Sequence, residues 1–136
     1  MNDDERIEEK RKLSSPTIYE IISREGDEEL KRPATSLAWS GVAAGICISF
    51  ALLAQGFLAR YLPETDASTL LIKMGYVFGF LIVIMSRLQL FTENTITVIL
   101  PLLERRTMRT LMRTARLWGI VFVTNMIGTF IVALMI

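Results

Sequence analysis

Hydrophobic and polar positions are sorted along this chain into long blocks. No residue is charged from Pro33 to Ala59, and none from Leu117 to Ile136. Uncharged apolar runs of roughly 18 residues or more predict transmembrane helices. The first block predicts a span over about Ser36–Leu58, ~34 Å at the helical rise and enough for a ~30 Å hydrocarbon core. Trp39 stands near its start and Tyr61 just past its end, where an aromatic belt places such rings. The last block, Leu117–Ile136, predicts a span of about 30 Å.

The block between them is irregular. Met74–Ser86 is uncharged, Arg87, Gln89 and Glu93 interrupt it, and Asn94–Leu103 is uncharged again. An unbroken helix from Met74 to Leu103 would be about 45 Å long and would bury two charges. Neither uncharged piece is long enough to cross alone. The pattern predicts two half-helices joined by irregular backbone near Leu90–Asn94. Such backbone is tolerated at membrane depth only where it is buried in protein or lines a cavity. A tilted helix whose charged side chains reach the interface is the alternative. Ahead of the spans, residues 1–35 form a charged segment. Residues 1–15 read as a solvated tail. Ser15-Pro16-Thr17 marks a helix start, Ile18, Ile21 and Ile22 form an apolar stripe, and Gly26 marks the end. This short amphipathic helix is expected along the membrane surface or under the bundle.

Composition sharpens this picture. Of 136 residues, 51% are hydrophobic and 21% charged, against the ~25% charge of a soluble domain. The formal net charge of +1 hides a segregation: residues 1–35 carry ten acids and seven Lys/Arg, whereas Glu104–Arg116 holds five Arg and one Glu. Lys/Arg-rich loops stay cytoplasmic, so the N-terminus and Glu104–Arg116 are expected in the cytoplasm and the Arg60–Lys73 side outside. No cleavable signal pattern precedes the first apolar block. One cysteine, Cys47, allows no intrachain disulfide, and without histidine there is no Cys/His metal cluster. No catalytic triad, Gly-rich phosphate loop or acid/base carboxylate pair is present. These features exclude a soluble enzyme, a disulfide scaffold and a nucleic-acid binder; no cofactor is expected, and the lipid bilayer is the first partner. The apolar run continues to Ile136, which reads as a bundle lacking its second half.

Three sets of residues are candidates for more than spanning. Gly41 and Gly45, with Ser49 one step further, and Gly75 and Gly79 form small-xxx-small patterns suited to close helix packing. Arg87 and Glu93 are opposite charges at membrane depth, either a structural pair closing a loop or charges lining a substrate path. Leu90-Phe91-Thr92-Glu93-Asn94-Thr95 is the strongest local signal. Thr92 is an N-cap candidate for the second half-helix, whose free N–H groups and positive dipole end suit a small anion. Leu90 and Phe91 could supply an apolar constriction.

Gly75-Tyr-Val-Phe-Gly-Phe-Leu-Ile-Val-Ile-Met, then Leu90-Phe91-Thr92-x-Asn94, resembles the formate/nitrite transporter family, and Arg87-x-Gln-Leu-Phe-Thr-Glu-Asn-Thr95 a bacterial inner-membrane branch of it. Arg116-Leu-Trp-Gly119, Asn125-Met-Ile-Gly128-Thr129 and Ser15-Pro16 add to the likeness, which covers about residues 15–136. The resemblance implies an all-α, aquaporin-like membrane fold: six spans as two inverted three-span repeats, assembled as pentamers, each protomer passing small monovalent anions. Residues 36–136 would be one repeat with a broken second helix, from a truncated or split member. Leu90, Phe91, Thr92 and Asn94 would belong to the pore loop, with Thr92 facing the pore centre. Transporting members usually carry an acid where Gln89 stands and small residues where Arg87 and Glu93 stand. The resemblance implies anion transport as the function, and these departures keep a non-transporting membrane scaffold or accessory subunit as the alternative.

Overall fold

The computed structural model describes residues 15–136; the expected tail over residues 1–15 lies outside them save for Ser15. They form α1 (Ser15–Lys31), α2 (Ala34–Tyr61), α3 (Asp66–Gly75), α4 (Val77–Met85), α5 (Phe91–Thr97), α6 (Ile99–Arg105) and α7 (Met108–Met135), with no strand among them. Three stretches are long and apolar enough to cross a membrane: Ala34–Tyr61, Asp66–Met85 and Met108–Met135. The chain is an all-α membrane protein with a broken second helix.

The boundaries depart from the sequence pattern in instructive ways. The second span begins at Asp66, where Thr65 caps it by accepting from the Ser68 N–H at 3.2 Å. Lys73 is therefore helical, and the piece before the break reaches 20 residues, about 30 Å, enough to span by itself. At the third span, Arg109, Arg113 and Arg116 belong to α7 rather than to a loop. Arg106 (φ 43°) and Thr107 suffice for the turn, and the Thr107 hydroxyl caps α7 by accepting from the Thr110 N–H. Charged residues extend both helices because their long side chains leave the hydrocarbon while the backbone stays helical.

Gly26 does not end α1, which runs on to Lys31. A Cβ at Gly26 would stand 2.9 Å from the Pro101 ring and closer still to the Thr97 carbonyl oxygen. Pro101 has no N–H to return to Thr97, which accounts for the interruption between α5 and α6 at Val98. The glycine is spent on this close approach, not on a turn. Ser23, Gly26 and Leu30 form the docked face, whereas Ile18 and Ile21 are exposed. At the far end of α6, Glu104 accepts from the Ser23 hydroxyl at 3.0 Å, and Arg105 pairs with Asp27. Tyr19 also hydrogen-bonds Glu104, and that carboxylate holds the phenol above the usual tyrosine range.

The bundle axis is the crossing of α2 and α7. Lipid offers helices no hydrophobic gain on association, so contact distance matters most. A Cβ on Gly45 would reach 3.0 Å from the Gly128 Cα, with the Asn125 carbonyl nearer, and one on Gly41 would run into Thr124. Gly79 lies against Cys47 and Ala51, and Gly75 against Ala54, Gln55 and Leu58, seating the second span on the other side of α2. Leu30, Leu37, Val98, Leu117 and Val121 form the buried cluster joining α1, α2, the α5–α6 junction and α7. Trp39 and Tyr61 are exposed near the two ends of α2.

Gly45→Val should therefore destabilise the bundle by at least the ~1–3 kcal/mol of ordinary overpacking, because a carbonyl oxygen rather than a flexible side chain blocks the site. Gly119→Ala, where added atoms meet open space, should change stability by less than about 0.5 kcal/mol. Thermal unfolding in one detergent compares the two.

Candidate functional site: the break in the second helix

The second helix breaks at residues 86–90, upstream of the Leu90–Asn94 stretch favoured by the sequence. Its first part closes with a hydrogen-bonded turn: Arg87 N–H to the Ile84 carbonyl and Leu88 N–H to the Val83 carbonyl, both 3.1 Å. This is the Schellman arrangement, which needs one left-handed residue. Arg87 occupies it at φ 48°, where glycine costs least. The second part starts at Phe91, because Leu90 takes the extended N-cap conformation and its carbonyl accepts from the Asn94 N–H at 3.1 Å. Thr92 is thus already inside the first turn and is not the cap; no side chain of Leu90 can replace it. Asn94, expected in the irregular stretch, is helical.

Asn125 of α7 does much of the capping instead. Its carboxamide oxygen accepts from the Phe91 N–H at 2.9 Å. Its nitrogen donates to the Gln89 carbonyl at 2.9 Å and to the Gly41 carbonyl at 2.8 Å. The Ser40 hydroxyl of α2 accepts from the Gln89 N–H at 3.0 Å. Within the loop, Asn94 donates to the Gln89 side-chain oxygen at 2.8 Å, and Trp118 donates its indole N–H to the Asn94 carbonyl at 3.2 Å. Gln89 and Asn94 are both buried. Backbone that a bilayer could not satisfy is thereby satisfied from all three spans.

A cavity of about 480 Å³ lies beside the loop, lined by Glu25, Glu28, Glu29, Ile84, Arg87, Leu88, Gln89, Glu93, Asn94 and Thr97. Arg87, Glu93 and Asn94 thus meet at one wall. Leu90, Phe91 and Thr92 are not part of that lining; Phe91 turns toward α7, its ring edge-on to Phe122 at 5.2 Å between centroids, and Thr92 is exposed. Arg87 and Glu93 form no salt bridge, so of the two readings offered for them the loop-closing pair is not made. Glu28 and Glu29 are partnered within α1, by Arg24 at 3.8 Å and Arg32 at 3.2 Å. Among the described residues no group of His, Cys, Asp and Glu could hold a metal ion.

Sequence reasoning passed over Ser40, Trp118 and Asn125 as structural anchors. Asn125 had a legible signal: a carboxamide inside an uncharged span must find partners. What it would bond to could not be read, since its partners lie 34 and 36 residues away beside the break and 84 away on α2.

Two substitutions test this account. Asn125→Leu removes three hydrogen bonds, each worth about 0.6 kcal/mol and at most about 1.7 in membranes, so a loss of about 2 kcal/mol is expected. Thr129→Ala, which removes only a bond to the Met126 carbonyl within α7, should cost far less. Arg87→Gly should instead stabilise by about 1 kcal/mol by relieving the left-handed backbone. Denaturation in mixed micelles measures all three.

Residues 16–136 match the family described as formate/nitrite transporter. The chain is also similar to the inner membrane protein YfdC of Escherichia coli (strain K12), 47% identical over 116 residues, which is 85% of this chain and 37% of that protein. It thus spans little more than a third of the relative's length. No solved structure matches it significantly. A family of transporters, not of enzymes, is indicated by a match that takes in nearly all of α1 and every later helix, and the chain belongs to the formate/nitrite transporter family.

Proposed function

We propose that this chain builds one half of a transmembrane path for small monovalent anions of the formate or nitrite kind, as a multi-pass protein of a bacterial inner membrane. The observation that carries the reading is the interrupted second helix: five non-helical residues, pinned by Asn125 and Ser40, border a cavity of about 480 Å³. Irregular backbone of this kind is kept at membrane depth where it is buried in protein or lines a cavity, and this loop does both. Family membership supports transport, and the relative's printed name supports the inner membrane. A further three-span half supplies the facing wall, and five such units assemble around one axis. On the side of the break away from that cavity, where the further half would stand, Leu90 and Phe91 form the constriction and Thr92 offers its exposed hydroxyl to the passing anion, while Asn94 holds the loop. The N-terminus and the Arg-rich start of α7 lie in the cytoplasm, following the Lys/Arg bias.

One feature favours a second reading, a membrane scaffold that does not transport. The cavity wall carries four carboxylates; Arg24 and Arg32 pair with Glu28 and Glu29, which leaves Glu25 and Glu93 facing the single guanidinium of Arg87, and that excess of negative charge disfavours anions.

Flux separates the readings. Proteoliposomes holding the chain with a matching three-span half should pass nitrite, and the chain alone should not. Glu93→Gln should raise flux by removing a charge from the path. Thr92→Val should lower it by up to about tenfold, the worth of one hydrogen bond to an anion, with melting temperature unchanged because Thr92 caps nothing. No nitrite flux with the second half present would favour the scaffold. Orientation is checked in a Cys47→Ala background: Thr107→Cys should be shielded from an impermeant reagent outside and Glu64→Cys should react. Labelling of Thr107→Cys would overturn the topology.

A further inference from the structure

One face of α7 changes character along its length. Arg109, Arg113 and Arg116 fall within about 60° of one another at ~100° per residue, all three are exposed, and none joins a salt bridge with another described residue. Below them, past Ile120, which leans half-buried on the core cluster, Val123, Ile127 and Leu134 continue the same face, 53%, 47% and 73% exposed. The bundle-facing side, which includes Leu117 and Val121, lies about a third of a turn away. Phe122, which meets Phe91 beside the break, is more than a third of a turn away on the other side, so apart from Ile120 at its edge with the core this face is turned neither to the bundle nor to the loop.

The dimensions fit a lipid. α7 has 28 residues, about 42 Å, against ~30 Å of hydrocarbon, leaving about 12 Å to stand in the headgroup layer. Arg109 to Arg116 rise by about 10 Å, the depth of that surplus. Guanidinium groups bind phosphate oxygens through paired N–H donors, and the apolar strip beneath offers an acyl chain a bed in line with its headgroup. We infer that this face of α7 is a binding site for an anionic phospholipid, the phosphate held by Arg109, Arg113 and Arg116 and one acyl chain lying along Val123, Ile127 and Leu134. The site needs no second half and no transported substrate, so it stands or falls separately from the transport reading.

The test titrates the purified chain, in neutral detergent, with dioleoylphosphatidylglycerol, dioleoylphosphatidylcholine or inorganic phosphate, counting retained lipid by native mass spectrometry and following the melting temperature. Phosphatidylglycerol should be retained and stabilising, phosphatidylcholine much less so, and phosphate alone ineffective. Each basic residue near an anionic headgroup contributes about fivefold in affinity, so the triple variant R109Q/R113Q/R116Q should bind phosphatidylglycerol about a hundredfold more weakly. R109K/R113K/R116K keeps the net charge and serves if the glutamine variant fails to fold; loss of the paired donors should weaken binding severalfold. Equal retention of both lipids, equal stabilisation by phosphate, or undiminished phosphatidylglycerol binding by the lysine variant would overturn the site.

Discussion

Hydrocarbon offers no hydrogen bonds, and the whole bundle is arranged around that constraint where the second helix stops being a helix. The N–H and C=O groups freed between Ser86 and Phe91 find no partner in lipid, and neighbouring spans meet several of them. Asn125 suits the task because a carboxamide donates and accepts at once, and it bonds the loop and α2 together. Ser40 completes the work from α2. These bonds fix where α2 and α7 must stand relative to the break, and the rest of the packing follows.

Such bonds only reach if the helices come close, and the glycines make that possible. Gly41 and Gly45 on α2 and Gly128 on α7 let those helices approach until backbone atoms touch, while Gly75 and Gly79 do the same for the second span. Gly26 repeats the device outside the spans, letting α1 ride against the carbonyl that Pro101 leaves without a helical partner. Small residues and polar anchors are therefore one design: the first sets the distance at which the second can act.

Much of this was legible in the order of residues. The first and third spans followed from uncharged runs of sufficient length, the break from Arg87, Gln89 and Glu93 placed inside an otherwise apolar stretch, and the family from the Leu-Phe-Thr-x-Asn run. The misplacements share a cause. Charge marks a boundary in the sequence pattern, yet Lys73, Arg109, Arg113 and Arg116 are helical because helix propensity and side-chain reach outweigh charge near an interface. Gly26 signals a stop and Thr92 a cap only locally, and in each case a partner distant in sequence decides otherwise: Thr97 and Pro101 for the glycine, Asn125 for the start of α5. The unpaired state of Arg87 and Glu93 was equally beyond reach, since a spacing of six across a turn fixes no side-chain direction.

The anchoring of the break by Asn125 also dictates an order of assembly. A chain entering the membrane from its N-terminus presents the loop well before the residue that satisfies it, since Asn125 follows Phe91 by 34 positions and Gln89 by 36. Until α7 arrives, Ser40 is the loop's inter-span anchor within reach, and the Gln89 carbonyl and Phe91 N–H must be met by water, lipid headgroups or the insertion machinery. The second segment therefore takes its final depth and shape only as the third is laid down, so that α7 completes a segment made before it.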